Sequence, residues 1–402
     1  MYRVGKEELA EVKKVIDAGK MFMFGDPASG HQQEVARFER EWAEKIGVKH
    51  ALCVTSGTGA LLCSLAALGI GPGDEVIVPS YTFMASAASV LMMGAIPVIC
   101  DVDETCLMDP EDVERKMGPN VKAIIPVHMV GMPCDMDRIM TIAEKHDVKV
   151  IEDSCQCDGG SYKGKRTGSI GHVGAFSFND YKILSSGEGG AFATNDENLY
   201  QRAMIFGDSG ASFRAYAKDL TIAPFVGMQL RQTEVHAAIL RIQLTRLEGI
   251  LADLRRIKAR IMKELDGAPG IRFIPSNDIE GDCGVVAAFS FDTVEQAIDF
   301  AKAEGVGGYR PGVMEKHVYS MWGPILEKRV GHHPDMNPYN NPKNRGLRMD
   351  VTRDMLPKSL DILKRTVFVN LHTDWTDEEV AKRIAAFAKA GEQVSATPEP
   401  MR

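Results

Sequence analysis

The chain has 402 residues, of which 45% are hydrophobic, and this is enough for a large core divided between two lobes. A formal net charge of −8 gives no general attraction to nucleic acid or to anionic membranes, so we expect neither as a partner. No export signal or membrane-spanning run is visible, and the eight cysteines form no CxxC pair, so the sequence predicts a cytoplasmic protein with reduced thiols.

Two amphipathic helices come first in the chain, predicted over residues 6–18 and 33–46. From residue 51 onward, short apolar strands alternate with helices. The strands are predicted at 51–54, 75–78, 96–100, 123–127, 148–151, 173–178 and 190–193, and the helices at 59–68, 85–93 and 136–145. This alternation predicts an α/β protein with a mostly parallel, seven-stranded sheet that helices cover on both faces.

A long helical pattern over residues 227–265 bridges to a smaller α+β domain at the C-terminal end. We therefore divide the chain into a large domain, residues 1–245, and a second unit, residues 246–402. The smaller domain is predicted to contain a strand at 284–291 and helices at 294–304 and 376–390, and to end in a frayed tail at 392–402. Residues 330–350 are polar and proline-rich, and they either cover a substrate entrance or form an exposed loop with no role.

Polar residues collect where the predicted strands end, which is where such a sheet binds its ligand. Thr55-Ser56-Gly57-Thr58-Gly59 follows the first strand and opens a helix, whose free N–H groups form a cradle for an anion. Pro79 to Phe83 follows the second strand and offers an aromatic face. Asp153 ends the fifth strand, where it either caps a helix or pairs with a ring cation in a dry pocket.

Lys182 lies in a loop of glycine and hydroxyl residues between two apolar strands. Burial disfavours the charged form of an amine, and a neutral amine can attack a carbonyl group to form a Schiff base. A lone lysine in such a loop is usually a surface residue, so the loop alone does not show whether Lys182 is functional. Together with the anion cradle, the aromatic face and Asp153, however, it completes the set of groups needed to hold pyridoxal phosphate (PLP).

The sequence resembles the DegT/DnrJ/StrS family of PLP-dependent sugar aminotransferases, which have fold type I. The resemblance extends from the helix at Gln33 to about residue 265, and more loosely beyond it. The motifs that carry it are Ser56 to Leu61, Pro79 to Phe83, Val127 to Gly131, Glu152 to Gln156, Phe176-Ser177-Phe178, Gly187 to Gly190 and Arg231 to Glu234.

The resemblance implies a role for each matching residue. Lys182 and Asp153 would be catalytic, the lysine joined to the cofactor and the aspartate paired with its pyridine nitrogen. The remaining cofactor-binding residues would be Ser56, Gly57, Thr58 and Ser177 at the phosphate, Phe83 stacked on the ring, and Gln156 at the phenolic oxygen. Gln229 stands where the family usually has an Asn that reaches the neighbouring subunit's phosphate, which implies a homodimer with active sites completed across the interface.

Several positions depart from the family pattern, and they border the substrate. Asp158 and Ser209 stand where the family commonly has His, and His172 stands where it has Asp. The candidate substrate contacts are Phe24, His128, Asp158, Ser209 and His317. His128 and His172 are equally well interpreted as core histidines. The His332-His333 pair has no matching ligand spacing, so we expect no metal.

The resemblance implies a transaminase that moves an amino group from an amino acid, glutamate or glutamine, to a keto sugar. Residues 159–164, 356–359 and 375–377 are similar to the branch that aminates a keto-octulosonate, and a nucleotide-linked hexose is equally compatible. A sugar dehydratase is disfavoured, because the 3-deoxygenating dehydratases replace the lysine with His. The family also includes an aminohydroxybenzoate synthase, so an enzyme of that type is a further hypothesis, and a non-catalytic regulatory protein on the same fold is a weaker one.

Overall fold

The structure is a computed structural model that describes residues 4–396. Its helices are α1 (Lys6–Ala18), α2 (Glu34–Ile46), α3 (Gly57–Leu68), α4 (Ala85–Met92), α5 (Pro110–Arg115), α6 (Met136–His146), α7 (Glu197–Gly207), α8 (Glu234–Glu264), α9 (Val294–Lys302), α10 (Gly323–Leu326), α11 (Pro357–Lys364) and α12 (Asp377–Ser395). Its strands are β1 (His50–Val54), β2 (Glu75–Pro79), β3 (Ile96–Cys100), β4 (Val121–Ile124), β5 (Lys149–Asp153), β6 (Ser161–Tyr162), β7 (Lys165–Arg166), β8 (Val173–Ser177), β9 (Gly190–Thr194), β10 (Val286–Ser290) and β11 (Thr366–Asn370).

The large domain is built on a seven-stranded sheet with the order β1-β9-β8-β5-β4-β2-β3. Strand β9 is antiparallel to both of its neighbours, β1 and β8, while the other pairs are parallel. Six strands therefore end at the same edge of the sheet. The predicted mostly parallel, seven-stranded sheet is confirmed, and the antiparallel β9 brings the chain back from the loop that contains Lys182.

An aromatic cluster fixes β8, the strand that leads into this loop. The ring of Trp42 on α2 lies edge-on to Phe176 and Phe178, with ring centroids 5.0 Å and 5.4 Å away, and the side chain of Phe38 completes the cluster. All four side chains are fully buried. Such ring pairs contribute about 0.5–1.5 kcal/mol each beyond the area that they bury, so the start of the loop is held firmly.

Helix α8 is 31 residues long and begins at Glu234, seven residues later than predicted. The Thr233 side chain accepts a hydrogen bond from the backbone N–H of His236 and so caps the helix. Residues 227–233 are instead extended and form β-bridges from Arg231 and Gln229 to the large domain. The predicted division between residues 245 and 246 falls inside this helix.

The smaller domain contains the antiparallel pair β10 and β11, with α9 and α12 packed nearby. The Phe289 ring contacts Phe300 and Phe387, with centroids 5.0 Å and 5.5 Å away. Strand β11 and helix α11 were not predicted. The prediction of a frayed tail is wrong for residues 392–395, because α12 continues to Ser395; residues 397–402 lie outside the described residues.

Residues 333–348, which we call the strap, do not cover the predicted substrate entrance; most of them are exposed, as in the other predicted arrangement, but the segment also makes contacts that stabilise the fold. Three short turns follow one another, each with a proline at its first position and with a preceding side chain that accepts a backbone N–H: those of His333, Asn337 and Asn341. The strap packs against the amino ends of β2 and β3, through hydrogen bonds to Gly73 and Gly94. It therefore lies at the opposite edge of the sheet from the strand ends where the ligand was predicted.

Residues 4–396 lack a membrane-spanning helix, a metal-binding cluster and a disulfide bond. None of the helices there is both long and apolar enough to cross a bilayer. The same residues contain no cluster of His, Cys, Asp and Glu that could hold a metal ion. All eight cysteines lie in this part of the chain and are free thiols, and Cys155 alone among them is partly exposed.

Candidate active site

A cavity of about 500 Å³ lies at the carboxyl ends of the parallel strands. The segments that follow β1, β2, β5 and β8 contribute polar side chains to its lining, and residues of the smaller domain close it from the other side. Clefts of this size commonly hold small molecules and cofactors. The predicted ligand position and the cavity therefore coincide.

The anion cradle forms one end of the cavity, at the start of α3. The Ser56 hydroxyl oxygen caps the helix by accepting the backbone N–H of Gly59 at 3.0 Å. The first N–H groups of a helix have no partner within it, so those of Gly57 and Thr58 remain for a ligand. The positive end of the helix dipole adds to their attraction for an anion.

Gly57 is needed for the cradle because two other elements approach it closely. A Cβ atom at this position would lie 2.7 Å from the Cys155 sulfur and 2.8 Å from Cβ of Ser177. A side chain there would push the end of β8 and the segment after β5 away from the helix. The absence of one thus brings the Ser177 hydroxyl to the same end of the cavity as the helix N-terminus.

Asp153 ends β5 at the bottom of the cavity and is only 4% exposed. One carboxylate oxygen accepts the Ser86 hydroxyl at 2.8 Å, and the other accepts the backbone N–H of Cys155 at 3.1 Å. No α-helix follows β5 directly, so Asp153 does not cap one. A carboxylate held in a dry site stabilises a cationic group placed against it.

Lys182 lines the cavity and is half-buried, so the loop does not leave it on the outer surface. Its backbone N–H donates to the Asn179 carbonyl at 3.0 Å, which closes a tight turn. The neighbouring Tyr181 is 83% exposed, whereas Leu184 is fully buried. The loop is thus anchored on one side of the lysine and open on the other.

Phe83 and Gln156 also line the cavity, as the resemblance implied. The Gln156 amide oxygen accepts the backbone N–H of Val130 at 3.2 Å, which leaves its NH₂ group to donate to a ligand. Val130 has φ of 47°, a region that a β-branched residue rarely adopts. Strain of this kind costs about 1–3 kcal/mol and concentrates at functional sites, and no pattern in the sequence indicates it.

The smaller domain contributes a wall of Tyr309, Lys316, His317 and Asn370. Of these, His317 was a predicted substrate residue; its ring lies 6.0 Å from that of Phe83. Burial and the nearby charges of the two cavity lysines lower the pKa of His317 to about 4, so its imidazole is neutral near pH 7. The other three were missed, because nothing in the sequence connects them with residues 100 or more positions away.

Two further histidines lie away from the cavity. His128 is fully buried, with its ring nitrogens at 3.0 Å from a Glu152 carboxylate oxygen and from the backbone N–H of Cys134. His172 accepts the backbone N–H of Val150 at 3.0 Å. The interpretation of His128 as a substrate contact is therefore contradicted, and the interpretation as a core histidine describes it; His172 is half-buried and does not line the cavity.

The other candidates do not line the cavity of this chain. The Phe24 ring packs against Tyr216 at 5.6 Å, and the exposed Ser209 donates its hydroxyl to the side-chain oxygen of Gln229 at 3.2 Å. Gln229 is exposed at the protein surface. Asp158 is fully buried behind the lining.

The residues present fit PLP. The cradle at α3 and Ser177 suits a phosphate, Phe83 suits a ring face, and the Asp153 carboxylate suits a protonated ring nitrogen. Lys182 provides the amine that the cofactor requires. The cavity contains each of these groups, and the two hydrogen bonds that Asp153 accepts leave its oxygens lone pairs for a further donor.

Comparisons with known proteins agree with this fit. The model of the DegT/DnrJ/EryC1/StrS aminotransferase family matches residues 3–308. The chain is 43% identical to a GDP-perosamine synthase of Caulobacter vibrioides over 225 residues, which cover 56% of the chain and only 59% of that relative. It is 32% identical to the L-glutamine:2-deoxy-scyllo-inosose aminotransferase of Streptomyces fradiae over 396 residues, 94% of the chain and 91% of the relative.

Solved structures give the same result over nearly the full length. An aminotransferase from Psychrobacter cryohalolentis is similar with a TM-score of 0.79 and 30% identity, covering 98% of each chain. The 3-amino-5-hydroxybenzoic acid synthase is similar with a TM-score of 0.79 and 26% identity, covering 97% of each chain. The fold and the family resemblance inferred from the sequence are both confirmed.

Proposed function

We propose that this chain, which belongs to the DegT/DnrJ/EryC1/StrS aminotransferase family of PLP-dependent enzymes, transfers an amino group to a keto sugar. The donor in this proposal is an amino acid, glutamate or glutamine. The acceptor is either a nucleotide-linked hexose or a keto-octulosonate. The names of the relatives support a sugar or cyclitol acceptor, because one is a perosamine synthase and another aminates an inosose.

The observation that carries the proposal is that Lys182, Asp153 and the anion cradle line one cavity. When bound, PLP supplies an electrophilic carbon for the amino group and an electron sink for the carbanion. The residues of the chain then have distinct tasks. Lys182 holds the cofactor and, once released, carries the donor's α-proton on Nζ, while Asp153 keeps a proton on the ring nitrogen.

Two other functions have less support. A dehydratase of the 3-deoxygenating type has no free lysine amine at this position, whereas Lys182 lines the cavity here. A regulatory protein would have no use for a lysine, a buried acid and a phosphate cradle in one cavity. Aminotransfer uses all three groups.

We test the function in two steps. Borohydride reduction of the PLP-loaded protein, followed by peptide mapping, should label Lys182. Conversion of the cofactor to its aminated form by glutamate or glutamine, followed by mixing with keto sugars, should restore the original absorption with the true acceptor. Label on a different lysine, or absorption that no keto sugar restores, would refute the proposal.

A homodimer is also part of the proposal. Near Gln229, the segment 211–228 exposes apolar side chains: Phe213 is 91% exposed, Val226 is 94% exposed and Met228 is 45% exposed. Apolar groups concentrated in one surface segment are typical of an interface. A second copy seated there would cover them and would bring Gln229 towards the partner's phosphate cradle.

Gln229→Ala tests whether the site is completed across the interface. We expect weaker PLP binding that is partly restored at higher protein concentration, because cofactor binding and association are then linked. Gln229→Asn, which carries the residue usual in the family, is the matched control and should bind PLP like the unmodified chain. Unchanged PLP affinity and unchanged dimer dissociation in Gln229→Ala would contradict the contact.

A further inference from the structure

The wall that the smaller domain adds to the cavity contains a lysine, Lys316, to which the proposed chemistry gives no task. Within residues 4–396, two lysines and no arginine line the cavity. The first of them, Lys182, holds the cofactor in the proposed function. Lys316 is therefore the cation of this lining that remains available to a substrate.

The backbone at Lys316 is fixed to the large domain beside the cavity. The Lys316 carbonyl accepts the backbone N–H of Met84 at 3.1 Å and the indole N–H of Trp322 at 3.3 Å. The carbonyl of the next residue, His317, accepts the backbone N–H of Thr82 at 2.9 Å. These bonds join the wall to the segment after β2, which also lines the cavity. The Lys316 side chain therefore extends from a backbone that is held in place.

The ammonium group of Lys316 has neither an ion pair nor a hydrogen bond to any residue between 4 and 396. The two acids that line the cavity have other partners. Asp153 accepts the Ser86 hydroxyl, and the Glu188 carboxylate accepts the Asn179 amide at 3.1 Å. An exposed lysine without a partner is ordinary on a protein surface, but this one lines the cavity that contains Lys182.

The other polar side chains of the wall are neutral near pH 7. Tyr309 and Asn370 offer a hydroxyl and an amide. Burial, together with the charges of the two cavity lysines, lowers the pKa of His317 to about 4, so its imidazole is not a second cation there. An anion that binds at this wall therefore finds its opposite charge on Lys316.

The proposed amino donors bring such an anion into the cavity. Glutamate and glutamine differ in their side chains but share an α-carboxylate, which is attached to the carbon that loses its proton. Proton transfer from this carbon to Nζ of Lys182 requires a donor that is held in one orientation. Hydrogen bonds between an ammonium and a carboxylate are roughly twice as strong as neutral ones, so Lys316 is suited to hold that group.

We propose that Lys316 is a substrate-binding residue whose ammonium group donates a charge-assisted hydrogen bond to the α-carboxylate of the amino acid donor. The inference rests on the proposed function, because it places the donor of that reaction in the same cavity. Lys316 gains and loses no proton in this role. It makes the site selective for amino acids over amines that lack an α-carboxylate.

The first test follows the half-reaction of the PLP-loaded protein with each donor by stopped-flow absorption. In Lys316→Met, the half-saturating concentrations of glutamate and glutamine should both rise roughly 10–100-fold, as expected for the loss of one hydrogen bond to a charged group. The limiting rate should change less, because Lys182 and Asp153 are unaltered. Lys316→Arg keeps the positive charge and should restore most of the affinity.

The second test measures binding without reaction, by calorimetric titration of the PLP-loaded protein. The ligand 2-hydroxyglutarate is glutamate with a hydroxyl in place of the amine, and 4-hydroxybutyrate is the same molecule without the α-carboxylate. Lys316→Met should weaken the binding of 2-hydroxyglutarate roughly 10–100-fold and leave that of 4-hydroxybutyrate unchanged. Equal weakening of both ligands would place Lys316 at the side-chain carboxylate and overturn the proposal.

Lys343→Met is the matched control for the loss of one positive charge. Lys343 is exposed on the strap, at the opposite edge of the sheet, and its ammonium group has no partner in the described part of the chain. Its replacement should change neither measurement. An equal effect in this control would overturn the proposal, as would unchanged half-saturation by glutamine in Lys316→Met. If the unmodified protein reacts with neither donor, the proposed function fails, and the calorimetric titration still decides the role of Lys316.

Discussion

The polar groups at the two edges of the large sheet differ in their hydrogen bonding. At the carboxyl edge, the first N–H groups of α3, the Gln156 NH₂ group and the Lys182 amine face a cavity and have no fixed partner among residues 4–396. At the amino edge, the strap supplies hydrogen-bond partners to the backbone of Gly73 and Gly94 and to the Glu75 carboxylate. One edge therefore offers polar groups to a ligand, and the other edge stabilises the fold.

Asn344 makes three of the hydrogen bonds at the amino edge. It is fully buried; its oxygen accepts the Gly73 N–H at 2.7 Å, and its NH₂ group donates to the carbonyl oxygens of Gly94 and Pro338 at 2.9 Å and 2.8 Å. Arg348 adds hydrogen bonds to the Glu75 carboxylate at the start of β2. The comparison predicts that changes at the carboxyl edge alter chemistry, whereas changes at the amino edge alter stability.

The largest effect is expected from Asp153→Asn at the carboxyl edge. The variant should fold and bind PLP, but lose roughly 10²–10³-fold in the rate of proton abstraction, because an amide does not keep the ring nitrogen protonated. Stopped-flow measurement of the half-reaction with the amino donor checks this. A near-normal rate would mean that Asp153 is a structural residue, and the comparison between the edges would fail.

A smaller effect, on stability alone, is expected from Arg348→Met at the amino edge. It removes the guanidinium from the Glu75 carboxylate, in a residue only 3% exposed, and leaves that carboxylate the backbone N–H of residue 348. Breaking a buried pair costs about 3–5 kcal/mol, and since the Arg348 side chain is 41% exposed we expect less, about 1–3 kcal/mol, in chemical denaturation. Turnover below the melting temperature should be unchanged. Arg345→Met, at an exposed residue, is the control and should change neither stability nor turnover.

The pH dependence of this loss follows from Glu75. Burial raises its pKa, but hydrogen bonds and charge from Arg348 outweigh burial, so the pKa of Glu75 lies below its usual value. The pair therefore contributes its full stability above about pH 4.3, the usual pKa of a glutamate, and loses it as the pH falls through the lower folded value. The stability difference between the two proteins should shrink in acid; a difference independent of pH would contradict the pairing.

The smallest effect is expected from His317→Gln at the carboxyl edge. The pKa of His317 is about 4, so the residue is already neutral across the physiological range, and a neutral amide replaces it without a change of charge. The pH profile of kcat should keep its shape between about pH 5.5 and 8. Loss of a limb of that profile would show that His317 exchanges a proton in the reaction.

Much of the large domain could be predicted from the sequence, because its strands are short, apolar and separated by clear helical periods. The start of α8 could not, because residues 227–233 share its apolar spacing while the Thr233 cap and the β-bridges decide the boundary. The position of the strap could not be predicted from the sequence either. Its prolines predicted turns, but nothing local shows that Asn344 pairs with groups 250 or more positions away.

The candidate site divides in the same way. The lysine, the acid and the cradle follow predicted strands, so their meeting at one edge follows from sheet topology. The position of the wall from the smaller domain depends on how the two lobes pack against each other. No local sequence pattern predicts this packing. The burial of Asp158 and the conformation of Val130 are likewise consequences of packing between distant elements.

The long helix α8 has a consequence for how the protein unfolds. Its side chains pack against α1 and α2 of the large domain and also against β10 and α12 of the smaller one. Leu247 and Ile261, both fully buried, lie about four turns apart on this helix. Neither lobe therefore has a complete core of its own, and the two should melt together in one cooperative transition. We therefore expect a chain with two lobes in shape to behave as a single folding unit in thermodynamic terms.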